Sequence, residues 1–123
     1  MMPGVEKILF SPEPVDPNWK QNFPVHMVTR PSQVRATAAD AAMAIPAAAS
    51  LSKRYPELTT PTVIVAGEGD KIVGYEGQSR RLHETLPNSH FIRVENVGHM
   101  VHYTARNTVL DAITTQAGER ALA

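Results

Sequence analysis

The chain has 123 residues with 12 basic and 12 acidic side chains, so it holds one domain at most, and its balanced charge disfavours nucleic acid or an anionic membrane surface as a partner. It has no cysteine, which excludes a disulfide framework and a thiol nucleophile. No segment approaches the roughly 18 consecutive apolar residues of a membrane span, and the first residues lack the basic and apolar regions of a signal peptide, so a cytoplasmic protein is expected.

The first 30 residues predict an extended arm or a lid connection, followed by a core over residues 31–123. Lys7–Phe10 is predicted to form a short strand. Residues 11–19 are predicted to be irregular, because their prolines restrict their own backbone and that of the preceding residues. The larger apolar side chains from residue 19 onward are interpreted as anchors that pack the arm on the body, and the alternative is that they line the pocket of a cap. They are Trp19, Phe23, Val25 and Met27.

Residues 32–55 are predicted to be helical. Ser32 is the expected N-cap, directly after Pro31. Pro46 should kink this helix or start a second one, because proline lacks the backbone N–H and suits the first helical position. The first piece carries a narrow apolar stripe. It comprises Val34, Ala38, Ala41, Ala42 and Ile45.

Two strands joined by a helix are predicted next. The strands span about 61–66 and 90–94, and the amphipathic crossover helix spans 75–86. A short apolar run between breakers is typical of a strand covered on both faces, as in a parallel sheet. The right-handed crossover places the C-terminal ends of both strands at one edge of the sheet. A closing helix over 104–117 should stop at Gly118.

Each predicted strand runs into a loop with a chemically useful side chain, Asp70 after the first and His99 after the second. Because both loops leave the same edge of the sheet, we expect a hydrogen bond between the carboxylate and the imidazole Nδ1. Such a pair fixes the tautomer of the ring and stabilises its charged form. Glu68 is the second choice for the carboxylate. The alternative for Asp70 is a turn residue that bonds only nearby backbone.

The spacing of His99 and His102 also suits a zinc site, because zinc accepts imidazole ligands. This alternative is the less favoured one, since no cysteine and no obvious third ligand stand close to them in the sequence. No metal and no cofactor are therefore predicted.

The segments Gly67–Val73 (GEGDKIV) and Val97–His102 (VGHMVH) resemble the acid turn and the histidine loop of α/β-hydrolases. The resemblance covers roughly residues 31–115, including a closing helix similar to that of the family. It implies the C-terminal part of an α/β-hydrolase fold, with residues 1–30 as the remnant of a cap. It further implies an esterase- or lipase-like enzyme for a small ester-like substrate, with Asp70 and His99 as the acid and the histidine of a nucleophile–histidine–acid triad.

The nucleophile of such a triad is missing from the sequence. No serine stands in G-x-S-x-G, and the nearest imitation, around Ser79, lacks the last glycine. The chain is therefore expected to be the acid/histidine half of a hydrolase, inactive alone. The alternative is a non-catalytic, hydrolase-like module that self-associates. In the resembled fold the strand at 62–66 would have a free edge, which invites pairing with a second copy.

Overall fold

The structure is a computed structural model that describes residues 4–121, with side chains described through Gly118. Helices of 4 to 21 residues and one two-stranded parallel sheet make up the described chain. The elements are, in chain order, α1 (Val5–Phe10), α2 (Pro17–Asn22), α3 (Val25–Val28), α4 (Pro31–Leu51), a 3-10 helix (Ser52–Glu57), β1 (Thr62–Gly67), a π-helical turn (Tyr75–Arg80) continued by α5 (Arg81–Thr85), β2 (Ser89–Val94), α6 (Val101–Thr104) and α7 (Arg106–Ala121).

The predicted parallel pair of strands is confirmed, with bounds shifted by one residue. β1 and β2 pair from Thr62 opposite Ser89 to Gly67 opposite Val94. The ladder is closed at its far end by the Glu68 N–H, which donates to the Val94 carbonyl at 2.9 Å. The apolar, β-branched run between Pro61 and Gly67 therefore forms a strand, as its pattern predicts.

The crossover helix is present over Tyr75–Thr85, and its first turn is π-helical. It packs on the sheet through Phe91 of β2. The rings of Tyr75 and His83 both lie 5.5 Å from the Phe91 ring, centroid to centroid. The crossover helix therefore packs on the face of the sheet that Phe91 presents.

The arm differs from its prediction, because it is folded into short helices. Lys7–Phe10 belongs to helix α1, so the predicted strand is wrong. The stretch predicted to be irregular ends at Asp16, whose Oδ1 accepts a hydrogen bond from the Trp19 N–H at 2.9 Å. Pro17 occupies the start of α2. An aspartate N-cap followed by proline is a helix start signal, because proline has no N–H to satisfy there.

An aromatic cluster anchors the arm on the body. Phe10 is fully buried and Trp19 is buried. Their ring centroids lie 5.2 Å apart, and Phe23 stacks on Trp19 at 4.6 Å. The cluster contacts the body through Phe10, whose ring lies 6.2 Å from that of Tyr103. Trp19 and Phe23 stack within the arm, so their role as anchors on the body stays a prediction, whereas the other two predicted anchors are exposed. Those are Val25 and Met27.

Helix α4 runs continuously through Pro46, so the new helix predicted there as one alternative is wrong, while the predicted kink stays a prediction. The predicted N-cap Ser32 is also wrong, because Pro31 takes the first turn and Arg30 the N-cap. The predicted second helical piece becomes the 3-10 helix at Ser52–Glu57. No residue of α4 is buried, and the apolar stripe faces solvent, with Ile45 79% exposed.

The closing helix is interrupted at Ala105 and consists of α6 and α7. Helix α7 runs past Gly118, so the predicted stop there is wrong. Glycine lowers helix propensity but ends a helix only where the chain turns away. The Gln116 Nε2 donates to the Pro61 carbonyl at 2.8 Å and ties α7 to the start of β1.

The buried apolar side chains of the described residues lie where the arm, the loops after the strands and α6 meet. They are Phe10, Trp19, Ala66, Val97 and Val101. The best-packed region therefore surrounds the edge of the sheet at which both strands end. Among residues 4–121 there is no helix with the length and apolar character needed to cross a membrane.

Candidate active site

The two loops that follow the strands are in direct backbone contact. A Cβ on Gly67, the last residue of β1, would collide with the carbonyl oxygens of Val97 and Gly98. The Gly69 N–H donates to the same Val97 carbonyl at 2.9 Å. Glycine at position 67 is required because only a residue without a side chain allows this approach. The acid turn and the histidine loop are thus built as one unit.

Asp70 is held by its own turn. Its Oδ1 accepts hydrogen bonds from the backbone N–H groups of Ile72 at 2.7 Å and Val73 at 2.9 Å. Its side chain is only 11% exposed. Burial by itself raises the pKa of the Asp70 carboxyl, but the hydrogen bonds from His99, Val73 and Ile72 outweigh it and the pKa is lowered. Asp70 is therefore an oriented carboxylate with Oδ2 still available.

The hydrogen bond predicted between the two loops is confirmed. The His99 Nδ1 lies 2.9 Å from the Asp70 Oδ2. Because the carboxylate can only accept, Nδ1 carries the proton and the neutral ring presents Nε2 as an acceptor. No described residue hydrogen-bonds to Nε2, and the side chain is 33% exposed. A hydroxyl group brought to this face could therefore transfer its proton to Nε2.

The competing carboxylate, Glu68, is not the partner of His99. Its side chain is half exposed and lies 3.7 Å from the Arg93 guanidinium. The choice of Asp70 over Glu68 as hydrogen-bond partner is confirmed. His102 is exposed and lies beside Tyr103. Within residues 4–121, no group of three or more histidine, cysteine or acidic residues is placed to hold a metal ion.

A contact from the arm to the histidine loop was not predicted. The His99 backbone N–H donates to the Leu9 carbonyl at 3.1 Å. A Cβ on Gly98 would collide with the Ser11 carbonyl. These contacts cannot be predicted from local sequence patterns, because they join segments far apart in the chain through backbone atoms.

The family model for the alpha/beta hydrolase fold matches residues 5–105. The chain belongs to the α/β-hydrolase fold family. The predicted membership and fold are thereby confirmed, and the match begins in the arm rather than near residue 31. A comparison with the curated proteins gives no match.

Among solved structures, the α/β-hydrolase chain is similar to the crystal structure of bromoperoxidase from Bacillus anthracis. The two share 24% identity with a TM-score of 0.51, over 55% of this chain and 24% of that chain. This likeness concerns the fold. The chain thus spans about a quarter of the bromoperoxidase it matches.

Replacing Asp70 by asparagine should make the stability of the fold depend less on pH in the acid range. Because its pKa is lower in the folded chain, Asp70 stabilises the fold above the ordinary carboxyl pKa, and this contribution is lost as pH falls through the lowered value. Thermal unfolding followed by circular dichroism from neutral to acid pH measures the difference. Asp40→Asn on exposed α4 is the matched control. Equal acid sensitivity of Asp70→Asn and the parent chain would contradict this linkage.

Proposed function

We propose that this chain supplies the acid–base half of an esterase-like hydrolase that acts on a small ester or related bond through a nucleophile–histidine–acid triad. The observation that supports it is the 2.9 Å hydrogen bond between the His99 Nδ1 and the Asp70 Oδ2. In this role the Nε2 of His99 takes the proton of the nucleophile and then returns it to the leaving group. Asp70 holds the ring and stabilises the imidazolium that forms.

The nucleophile would come from polypeptide outside these 123 residues. The chain has no cysteine, and none of its serines stands in G-x-S-x-G. Ser79 lies in the π-helical turn of the crossover helix rather than in a strand-to-helix turn. A histidine–carboxylate pair without an activated nucleophile forms no acyl intermediate. We therefore expect the chain alone to be inactive.

The test compares the chain alone with the same chain joined to a nucleophile segment. The isolated chain should hydrolyse a p-nitrophenyl ester only at the rate of free imidazole. Joined in frame to a G-x-S-x-G segment from its own coding region, it should show saturable turnover that a serine-directed phosphonate blocks. Saturable, phosphonate-sensitive turnover by the chain alone would place the nucleophile within it. A joined chain that folds and binds the phosphonate but hydrolyses no ester would overturn the hydrolase proposal.

A second candidate function is a module that self-associates through β1. Within residues 4–121, β1 pairs only with β2. Thr62 and Glu68 direct their N–H groups to β2, so the alternate residues Val63 and Val65 direct theirs to the other edge. An apolar strand with a free edge favours pairing. We propose that β1 pairs with β1 of a second copy about a two-fold axis.

Light scattering on the purified chain should therefore report a dimer at micromolar concentration. Val65→Pro removes a donor from the proposed edge and should give a monomer, because proline cannot donate to a ladder. Arg93→Pro is the matched control, since by the same alternation it removes a donor from the outer edge of β2. A monodisperse monomer of the parent chain, or a dimer broken equally by both substitutions, would contradict pairing through β1.

A further inference from the structure

We call Asp70 and His99, joined by their hydrogen bond, the dyad. The arm reaches both loops of the dyad through one short segment, Leu9–Pro12, which we call the arm strap. The Leu9 carbonyl accepts the backbone N–H of His99 at 3.1 Å. A Cβ on Gly98 would collide with the Ser11 carbonyl. The arm strap therefore lies against the backbone of the histidine loop without room for a side chain between them.

The arm strap also lies against the acid turn. A Cβ on Gly69, the residue before Asp70, would lie 2.5 Å from the Pro12 Cδ. Since Gly69 bonds in turn to the Val97 carbonyl, strap, acid turn and histidine loop form one packed layer. Gly69 and Gly98, which directly precede Asp70 and His99 in the sequence, therefore both contact the arm strap.

One side chain of the arm strap anchors it. Phe10 is fully buried. Its ring lies 5.2 Å from that of Trp19 in α2 and 6.2 Å from that of Tyr103 in α6, both edge-on. Helix α6 begins directly after the histidine loop. Phe10 therefore joins the arm to the element that continues from His99.

The histidine loop has little regular structure of its own. Asn96 adopts a left-handed conformation with φ 58°, and residues 95–100 lie between β2 and α6. Among the described residues, two backbone hydrogen bonds tie this loop to other segments, from Gly69 to Val97 and from His99 to Leu9. The arm strap supplies the second of them, at His99 itself.

We propose that the arm strap is a positioning element that holds His99 at hydrogen-bond distance from Asp70. The inference rests on the proposed acid–base role for its relevance to catalysis, but the geometry it claims is measurable without a substrate. Loss of the arm strap would release the His99 N–H to solvent and widen the positions available to the ring. The bond to Asp70 would then be made only part of the time.

Phe10→Ala is the principal test, and Phe23→Ala is its matched control. Both remove an aromatic ring from contact with Trp19, the single tryptophan of the chain. Only Phe10 belongs to the arm strap. Two readouts follow the dyad by nuclear magnetic resonance, namely hydrogen exchange of the His99 amide and the pH titration of the Asp70 carboxyl carbon.

In Phe10→Ala we expect the His99 amide to exchange at least about tenfold faster, because its acceptor is released by local opening. The Asp70 titration should move to higher pH, because the hydrogen bond from His99 lowers the Asp70 pKa. Phe23→Ala should change Trp19 fluorescence and leave both readouts as in the parent chain. Phe10→Leu keeps an apolar anchor, so its His99 exchange and Asp70 titration should be close to those of the parent chain.

Gly98→Ala covers the case in which Phe10→Ala does not fold, because its Cβ would collide with the Ser11 carbonyl and separate the arm strap from the histidine loop while the aromatic anchor is kept. It should reproduce both changes. A folded Phe10→Ala or Gly98→Ala with parental His99 exchange and parental Asp70 titration would overturn the proposal. Equal changes in Phe23→Ala would do the same. Since no readout involves turnover, failure of the hydrolase test and failure of this proposal are distinguishable.

Discussion

Replacing His99 by alanine, in a chain joined to its nucleophile segment, should lower kcat by about 10⁴- to 10⁶-fold with little change in KM. The imidazole accepts a proton only as the reaction proceeds, so its loss removes an interaction made in the transition state rather than in substrate binding. Steady-state kinetics on a p-nitrophenyl ester measures both constants. Residual activity is expected to come from substrate binding and from any N–H donors to the oxyanion that the nucleophile segment supplies.

Two further variants test whether the loss of activity is specific to the pair of Asp70 and His99. Asp70→Asn keeps the shape of the side chain but loses the charge that stabilises the imidazolium, and should cost about 10⁴-fold in kcat. His102→Ala is the control, because His102 is exposed and makes no hydrogen bond to Asp70 among the described residues. A loss in His102→Ala as large as that in His99→Ala would show that the dyad is assigned to the wrong histidine.

The second large effect is expected from Gly67→Val. Valine favours strands, but at this position its Cβ would meet the carbonyl oxygens of Val97 and Gly98. Both are backbone atoms and cannot rotate away, so the histidine loop must move. We expect the free energy of unfolding to fall by about 1–3 kcal/mol, as in other overpacked sites. Urea denaturation measures it through a lower midpoint.

Gly77→Ala is the control for this substitution. Gly77 lies in the crossover helix, and a Cβ there would meet nothing within 4 Å. Alanine should raise the free energy of unfolding by about 0.5–1 kcal/mol, because glycine is disfavoured within helices. A Gly67→Val chain as stable as the parent chain would contradict the tight contact between the two loops.

The sheet and the dyad geometry were predictable from the sequence because their signals are local. The run Val63–Ala66 is bounded by breakers and has the composition of a covered parallel strand. The crossover rule then places Asp70 and His99 at one edge without any knowledge of packing. The hydrogen bond at 2.9 Å agrees with that placement. Its catalytic use remains the proposal made above.

The arm was predicted poorly because its structure depends on distant contacts. Four residues such as Lys7–Phe10 suit a strand or a helix equally by pattern. What decides between them is the burial of Phe10 against Trp19 and Tyr103, which tertiary structure brings together. Leu9 contacts His99 through its backbone carbonyl, which every residue has. This contact therefore does not depend on residue type and cannot be predicted from the sequence.

The helix starts and stops predicted from proline, serine and glycine were wrong where neighbouring residues favour a different or a continuous helix. Pro46 sits within α4 among alanines, whose strong helix propensity favours continuation on both sides. Pro31 and Ser32 compete for the start of that helix, and proline at the first turn displaces the serine from the N-cap. Gly118 has helical neighbours on both sides as far as Ala121, so α7 continues through it.

The exposure of helix α4 has a consequence for how this protein can change. A helix with no buried side chain places almost no steric demand on its own residues, and most substitutions at exposed positions alter stability only slightly. In the chain alone, substitutions at positions such as Met43 and Ile45 should therefore have little effect on stability or on the pair of Asp70 and His99. Substitutions on α4 would therefore change the surface of the chain without altering the hydrogen bond between His99 and Asp70.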